Sequence, residues 1–408
     1  MIYMLRKILL LMSGVMLFTA AACGQNVSNN ASSVISADTG SDVSSSLETA
    51  SSTSSAEISS DWYSDILSQS VKNEFKNTAE AIKASYDNNS FRYIMITDTH
   101  IDTTQSQDNY ELVLNTIDYA KRIAANCGID AIVLGGDFIT GWRDKQSALI
   151  GLKAIGDAAD NSPVPVIIAK GNHDNNINPD TRNNPDEQVT DAEFYNLTQA
   201  VVKKDYFIYD DEVEGGLYFY VDFPEKRTRL ICLDAERYFD AASQTRWLAE
   251  KALDIKDEGW KYVVVTHIPI DIRYEAEDTT LTAGSDDIKL IMTALNNGSV
   301  AKCSTGNYDF SGYRSKIVSC SFGHTHATYM EYNADLGVFC TSTGSGGAVG
   351  RGTFDYVTED SEGNNNRQGL DNSDSTRYLF DIFSVNTEKM NRIRFGNGVD
   401  KTIFSKAE

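Results

Sequence analysis

Apolar residues along this chain gather in short runs bounded by glycine, asparagine or aspartate, at 91–97, 131–134, 165–169, 262–266, 316–322 and 338–342. Runs of that length with such borders read as buried strands. Between the first three lie segments of helical period. Residues 61–89 read as one amphipathic helix with Val71, Phe75 and Ile82 on a single stripe. A second segment carries Leu112, Leu114, Ile117, Ala120 and Ile123, with Gly128 as its stop, and a third covers about 144–159. The order β-α-β-α-β with short loops predicts parallel strands joined by right-handed crossovers. Reactive loops in such sheets sit at the C-terminal ends of the strands. Farther on, 217–223 and 229–233 alternate around Pro224-Glu225-Lys226 and predict a hairpin. Helices are expected up to about 203 and over 244–255, and a closing hairpin over 378–385 and 392–395. The Asn/Pro/Asp-rich stretch 175–188 and the Asn/Gly/Asp-rich stretch 359–375 read as an insertion and a loop.

Ahead of the first helix the pattern changes. Arg6 and Lys7 precede a nearly unbroken apolar and small run, 8–22, too short for a comfortable membrane span. Ala20-Ala21-Ala22-Cys23-Gly24 closes it. The segment resembles a bacterial lipoprotein signal, whose cysteine is lipidated and becomes the mature N-terminus. Ala20 departs from that pattern, which prefers leucine there. Ordinary cleavage after an Ala-x-Ala site, giving a secreted protein, is the alternative. Residues 24–60 are rich in Ser, Thr, Ala and Asn and hold no Lys or Arg. Such a segment buries too little apolar surface to offset its ordering entropy and reads as a disordered tether. The expected organisation is a signal over 1–23, a linker over 24–60 and a single large domain over 61–408.

Composition changes the picture in two places. The 58 acids against 36 bases leave a net charge of -22, which argues against a nucleic-acid polymer as partner. Of six cysteines, Cys23 belongs to the signal. Cys127, Cys232, Cys303, Cys320 and Cys340 have no metal-type spacing and read as buried free thiols.

The candidate chemistry lies in the five histidines, each at the end of a predicted strand. His100 stands in Asp98-Thr99-His100 and His173 in Gly171-Asn172-His173-Asp174. His267 ends the run 262–266, and His324 and His326 stand in Gly323-His324-Thr325-His326. Asp137 ends another strand in Gly135-Gly136-Asp137. One such histidine alone would read as a surface or hydrogen-bonded imidazole. All five in these contexts read as a metal or catalytic cluster.

In order, spacing and strand-end context these blocks resemble the calcineurin-like metallophosphoesterase superfamily over about 91–326. The resemblance implies an α/β fold of four layers, a β-sandwich of mixed sheets flanked by helices with its site at the C-terminal ends of the strands. It implies two divalent transition-metal ions. Asp98, His100 and His326 would bind the first, Asn172, His267 and His324 the second, and Asp137 would bridge them. His173 would stand over the substrate, stabilising the phosphoryl group or protonating the leaving oxygen. Asp174 would orient that imidazole or cap the following segment. Two ions about 3.5–4 Å apart can clamp an in-line displacement at phosphorus. Imidazole with carboxylate and amide oxygens suits Mn, Fe, Zn or Ni over Ca or Mg.

Other residues read more locally. Asp234 is a strand-end carboxylate suited to a turn. Trp142 and Arg143 are surface packing or contacts to a phosphate or base, and Tyr308 and Tyr313 are candidates for a pocket wall. The expected activity is hydrolysis of phosphate mono- or diesters by a hydroxide that two metals activate. The enzyme would sit on the outer face of the cytoplasmic membrane, held by its N-terminal lipid. The alternative is a surface lipoprotein that captures a phosphorylated ligand without turnover. A complete ligand set plus a non-ligand His173 argues for catalysis. The stretch beyond His326 is short for the nucleotide-binding domain of two-domain 5′-nucleotidases.

Overall fold

A computed structural model describes residues 61–102, 107–210, 217–234, 241–274, 284–347 and 371–405. The expected signal and linker, and the expected loop at 359–375 as far as residue 370, lie outside the described residues. In place of one helix over 61–89 there is a short 3-10 turn, Asp61–Tyr63, then α1 (Gln69–Ala84). Ser68 divides them, because its hydroxyl accepts the Val71 N–H and caps α1. The expected stripe of Val71, Phe75 and Ile82 is buried.

β1 (Phe91–Ile96), α2 (Gln107–Asn126), β2 (Ala131–Leu134), α3 (Lys145–Ala159) and β3 (Val166–Ile168) follow. β1, β2 and β3 pair in parallel, as the alternation predicts. The helix expected up to about 203 is split into α4 (Asp191–Leu197) and α5 (Gln199–Val202) at Thr198, whose backbone leaves the helical region. β4 (Phe207–Tyr209), β5 (Phe219–Phe223) and β6 (Thr228–Cys232) come next, and β5–β6 is the expected hairpin. The helix expected over 244–255 is α6 (Ala241–Trp247) continued by a π-helical turn, Leu248–Ala252.

The second half runs β7 (Lys261–Val265), α7 (Ser285–Asn297), β8 (Val300–Cys303), β9 (Gly306–Asp309), β10 (Lys316–Phe322), β11 (Tyr329–Asn333) and β12 (Val338–Ser342). β13 (Leu379–Val385), β14 (Lys389–Gly396) and β15 (Lys401–Phe404) end it, so the expected closing hairpin carries a third strand.

Two mixed sheets result. One has the order β15-β14-β13-β1-β2-β3 and the other β11-β12-β10-β7-β6-β5-β4. β1 shows why its sequence is apolar but for Arg92, whose buried guanidinium donates to Gly128 O and Asp87 O. Phe91, Tyr93 and Met95 face the second sheet and pack with Val263, Val265 and Phe339. Ile94 and Ile96 face the other way, into the core under α1 to α5. The outer face of the second sheet, through Ile231, Val264 and Cys320, packs on Trp247 of α6 and on Ile288 and Ile291 of α7. The layers are therefore helices, sheet, sheet, helices, as expected. Among the described residues no helix is long and apolar enough to cross a membrane.

Candidate active site

Every parallel strand that carries a candidate residue ends at one rim of the sandwich. β1 delivers Asp98 and His100, β2 delivers Asp137 and β3 delivers Asn172 and His173. β7 delivers His267, and β10 delivers His324 and His326. Two ligand groups form there. Asp98, His100, Asp137 and His326 make one, and Asp137, His267 and His324 make the other, each with donor atoms within 4.8 Å of one another. The Asn172 Oδ1 joins the second group, 2.8 Å from His324 Nδ1. All seven residues expected at the metal centre are thus brought together, and Asp137 is common to both groups.

The loops that do this are locally strained. Asp98, His100, Asp137, His324 and His326 all have positive φ, between 43° and 67°. Non-glycine residues rarely adopt that conformation, and it persists where surrounding bonds over-determine it. Here the Asp98 N–H donates to Gly136 O at 2.9 Å and the His100 N–H to Asp137 O at 3.0 Å, so the first two loops brace each other. Close approach also fixes two glycines. A Cβ on Gly171 would lie 2.2 Å from the Asp137 backbone N, and one on Gly323 would lie 2.1 Å from Thr97 Oγ1.

Backbone carbonyls set the histidine tautomers. A carbonyl oxygen only accepts, so the ring nitrogen facing it carries the proton and the other keeps its lone pair. Gly135 O lies 2.7 Å from His267 Nδ1. That leaves His267 Nε2 buried, without a hydrogen bond, 3.1 Å from Asp137 Oδ2. Ile139 O lies 3.2 Å from His100 Nδ1, and His100 Nε2 faces His326 Nε2 at 2.8 Å. Two imidazole nitrogens 2.8 Å apart and a buried nitrogen beside a carboxylate are what a cation relieves. The donor set fits two divalent ions that share Asp137.

For His326 and His100 the electrostatics agree. Burial lowers the His326 imidazole to about 4, and burial together with His326 and His173 holds His100 well below the usual histidine range. Both are therefore neutral and able to ligate. Burial opposes a charge on His267 too, but the Asp137 and Asp98 carboxylates outweigh it and lift the imidazole to about 9. Burial resists charge on Asp137 as well, yet His267 and His173 beside it take its carboxyl well below the usual range. Asp98, pushed up to about 7 mainly by burial, carries a charge that a bound cation would secure.

His173 belongs to neither ligand group. Its side chain is 31 % exposed, and its Nδ1 donates to Thr140 O at 2.6 Å. Its Nε2 lies 4.0 Å from Asp137 Oδ2, at the mouth of the cluster.

The structure corrects the expectation for Asp174. Its carboxylate does not orient the His173 ring, a role that falls to the Thr140 carbonyl. It turns inward and accepts the N–H groups of Gly171, Asp137, Phe138 and Ile139 at 2.7–3.3 Å. Nor does it cap a helix. It pins the Asp137 loop to the His173 turn, while burial and the Asp137 charge push it up to about 7 against those donors.

Tyr308 and Tyr313 do not line the pocket. Tyr308 lies in β9 and Tyr313 just before β10, at the start of the strand whose far end carries His324. Both pack on the core under α6 and α7. Arg143 is engaged by Asp102, with Nη2–Oδ2 at 2.5 Å, so the contact it makes here is to a carboxylate. Trp142 is 43 % exposed. Gln244 holds the Asp234 backbone, its amide oxygen accepting the Asp234 N–H and its NH2 donating to the Asp234 carbonyl.

Fold and cluster together define a metal-dependent hydrolase of phosphoric esters. The chain belongs to the calcineurin-like phosphoesterase family, whose model matches residues 91–328. Among solved structures it is similar to a dimetal phosphatase from Danio rerio, with 12% identity, a TM-score of 0.50, and coverage of 78% of this chain and 99% of that one. It is also similar to a purple acid phosphatase from yellow lupin (Lupinus luteus) seeds, with 11% identity, a TM-score of 0.45, and coverage of 77% of this chain and 54% of that one. At 12% identity the likeness to the Danio rerio structure speaks to the fold alone. No curated protein sequence matches.

Proposed function

We propose that this enzyme hydrolyses phosphate mono- or diesters with His173 assisting the leaving group, and that it works exported and membrane-anchored. The observation that carries the catalytic part is the contrast among the histidines. His267 is sealed in the ligand cluster at 0% side-chain exposure, whereas His173 stands partly open at its mouth with Nδ1 committed to a carbonyl. A site built only to capture a ligand has no use for a proton donor there. Asp98, His100 and His326 would hold one ion, Asn172, His267 and His324 the other, and Asp137 both. When bound, the ions supply Lewis acidity at phosphorus and a nucleophile at neutral pH. The protein's own part is then positional. The carbonyls of Gly135, Ile139 and Thr140 fix three imidazoles, and Asp174 holds the Asp137 loop against the Asn172-His173 turn. A His173 ring with Nδ1 tied to Thr140 O can offer a proton only from Nε2, the nitrogen at the mouth.

The test is turnover of a panel of phosphomonoesters and phosphodiesters by protein reconstituted with Mn, Fe or Zn. Metal-dependent release of phosphate or of a monoester is expected. Saturable binding with no turnover under any metal would favour the ligand-capturing lipoprotein instead.

Anchoring is proposed from the run 8–22 ahead of Cys23 and the polar tether 24–60 after it. Cys23→Ala is expected to release the protein from the membrane fraction while leaving specific activity unchanged. Fractionation of cells that express each form measures it. A mutant that still sediments with membranes as the wild type does would show that Cys23 is not the anchor.

A further inference from the structure

Asp381 of β13 and Arg394 of β14 form an ion pair closed to solvent, with side-chain exposures of 0% and 1%. The contact is bidentate, Nε to Oδ1 at 2.6 Å and Nη2 to Oδ2 at 2.8 Å. Burying such a pair costs desolvation that its attraction scarcely repays, and apolar residues of like volume often stabilise a fold as well. What the pair supplies here is reach between the two sheets. Arg394 Nη2 also donates to Thr328 Oγ1 at 3.2 Å, and the Thr343 hydroxyl donates to Asp381 Oδ2 at 2.5 Å.

Both threonines belong to arms of the site. Thr328 follows His326 by two residues on the way into β11. Thr343 leaves β12 and leads to Ser345, whose hydroxyl donates to Asp98 O at 2.6 Å, and to Gly346, whose N–H donates to Thr97 O at 2.9 Å. The Arg394–Asp381 pair, with Arg392 Nε also 4.0 Å from Asp381 Oδ1, therefore grips the arm that carries His326 and the arm that braces Asp98. Those two residues share one ligand group with His100 and Asp137, and both hold strained backbone, each with φ of 54°. Strain of that kind lasts only where the surroundings enforce it.

We infer that Asp381 and Arg394 are positioning residues for the metal centre, acting through Thr328 and through Thr343 with Ser345, first on the pocket of Asp98 and His326 and, through the His324 N–H that Asp98 accepts, on the neighbouring one. The inference rests on the two-ion reading of the site. Outer-shell partners of this kind are typically worth about 10–100-fold in metal affinity.

The experiment titrates Mn²⁺ alone into metal-stripped full-length protein by calorimetry, with a thermal melt of each variant. Thr328→Val combined with Thr343→Val cuts both links but keeps the ion pair, and Arg394→Lys keeps the charge but loses the fork. As a control, Arg229→Met removes the pair to Asp222 (Nε–Oδ1 2.6 Å) and the bond to Ala252 O (2.9 Å), at the end of β6 away from the site. Two binding events are expected in the wild type. In the threonine double variant and in Arg394→Lys, at least one should weaken about tenfold or more while the melting temperature falls no further than in Arg229→Met. Arg229→Met should lower the melting temperature with both affinities intact. Affinities unchanged in both site-directed variants would overturn the inference. So would a fall of both affinities together, in step with the melting temperature, since that is a structural role. A wild-type protein that takes up fewer than two ions would instead remove the two-ion reading before any substitution is made.

Discussion

Asp137→Ala protein is expected to fold, to hold at most one of the two ions and to hydrolyse phosphate esters roughly four orders of magnitude more slowly, the rate equivalent of several kcal/mol. Asp137 is the member common to both ligand groups, so no other side chain can compensate for it in either. Its Oδ2 lies 3.1 Å from His267 Nε2 and 3.9 Å from His100 Nε2, between the two sets of imidazoles. The loop itself should survive. Asp174 holds the backbone N–H groups of residues 137, 138 and 139 whatever side chain residue 137 carries. One local loosening is expected, because Asp137 Oδ1 also accepts the His173 N–H at 2.8 Å. Metal content by mass spectrometry, circular dichroism and kcat on one phosphoester measure the outcome. Two ions per chain in the folded mutant would show that Asp137 does not bridge.

The strand ends were legible because burial leaves a simple mark. A strand covered on both faces is mainly apolar, as β1 is apart from Arg92, and the polar residues that follow it lie at the rim. With five histidines and all of them at such ends, the cluster could be read without coordinates. Proximity along the chain misled where a strand intervened. Tyr313 precedes His324 by few residues, but β10 lies between them, and its 7 residues at about 3.3 Å each span the sheet. Asp174 misled in the opposite sense. Beside His173 in sequence, it looks like that ring's partner. The turn at Gly171 folds it back beneath a loop 36 residues earlier, where backbone N–H groups claim it.

What the sequence could not carry was mostly backbone. The carbonyls of Gly135, Ile139 and Thr140 set the tautomers of His267, His100 and His173, and a carbonyl has no residue type to betray it. Positive φ at five site residues is equally silent. α7 is a different case. Ile288, Ile291, Met292 and Leu295 carry the helical period and are buried, so that helix was there to be read. The β8–β9 hairpin was not, since Gly306-Asn307-Tyr308-Asp309 has little of a strand's composition, and its residues are mostly exposed.

His173→Ala is expected to fail differently from Asp137→Ala. It should keep both ions and lose about 10²–10⁴ in kcat, the usual range for a positioned acid or base. His173 belongs to neither ligand group, and Thr140 O occupies its Nδ1, so its removal opens no gap in either donor set. The loss should depend on the ester. A nitrophenolate leaves without needing a proton, whereas an alkoxide does not, so the defect should shrink on the activated ester if Nε2 acts as the acid. Rates of wild type and mutant on a nitrophenyl ester and on an alkyl ester, together with metal content, decide it. A metal-depleted mutant would make His173 a ligand and overturn the role proposed for it. An equal loss on both esters, with the ions retained, would assign Nε2 to charge on the transferring phosphoryl group, for which leaving-group basicity matters little.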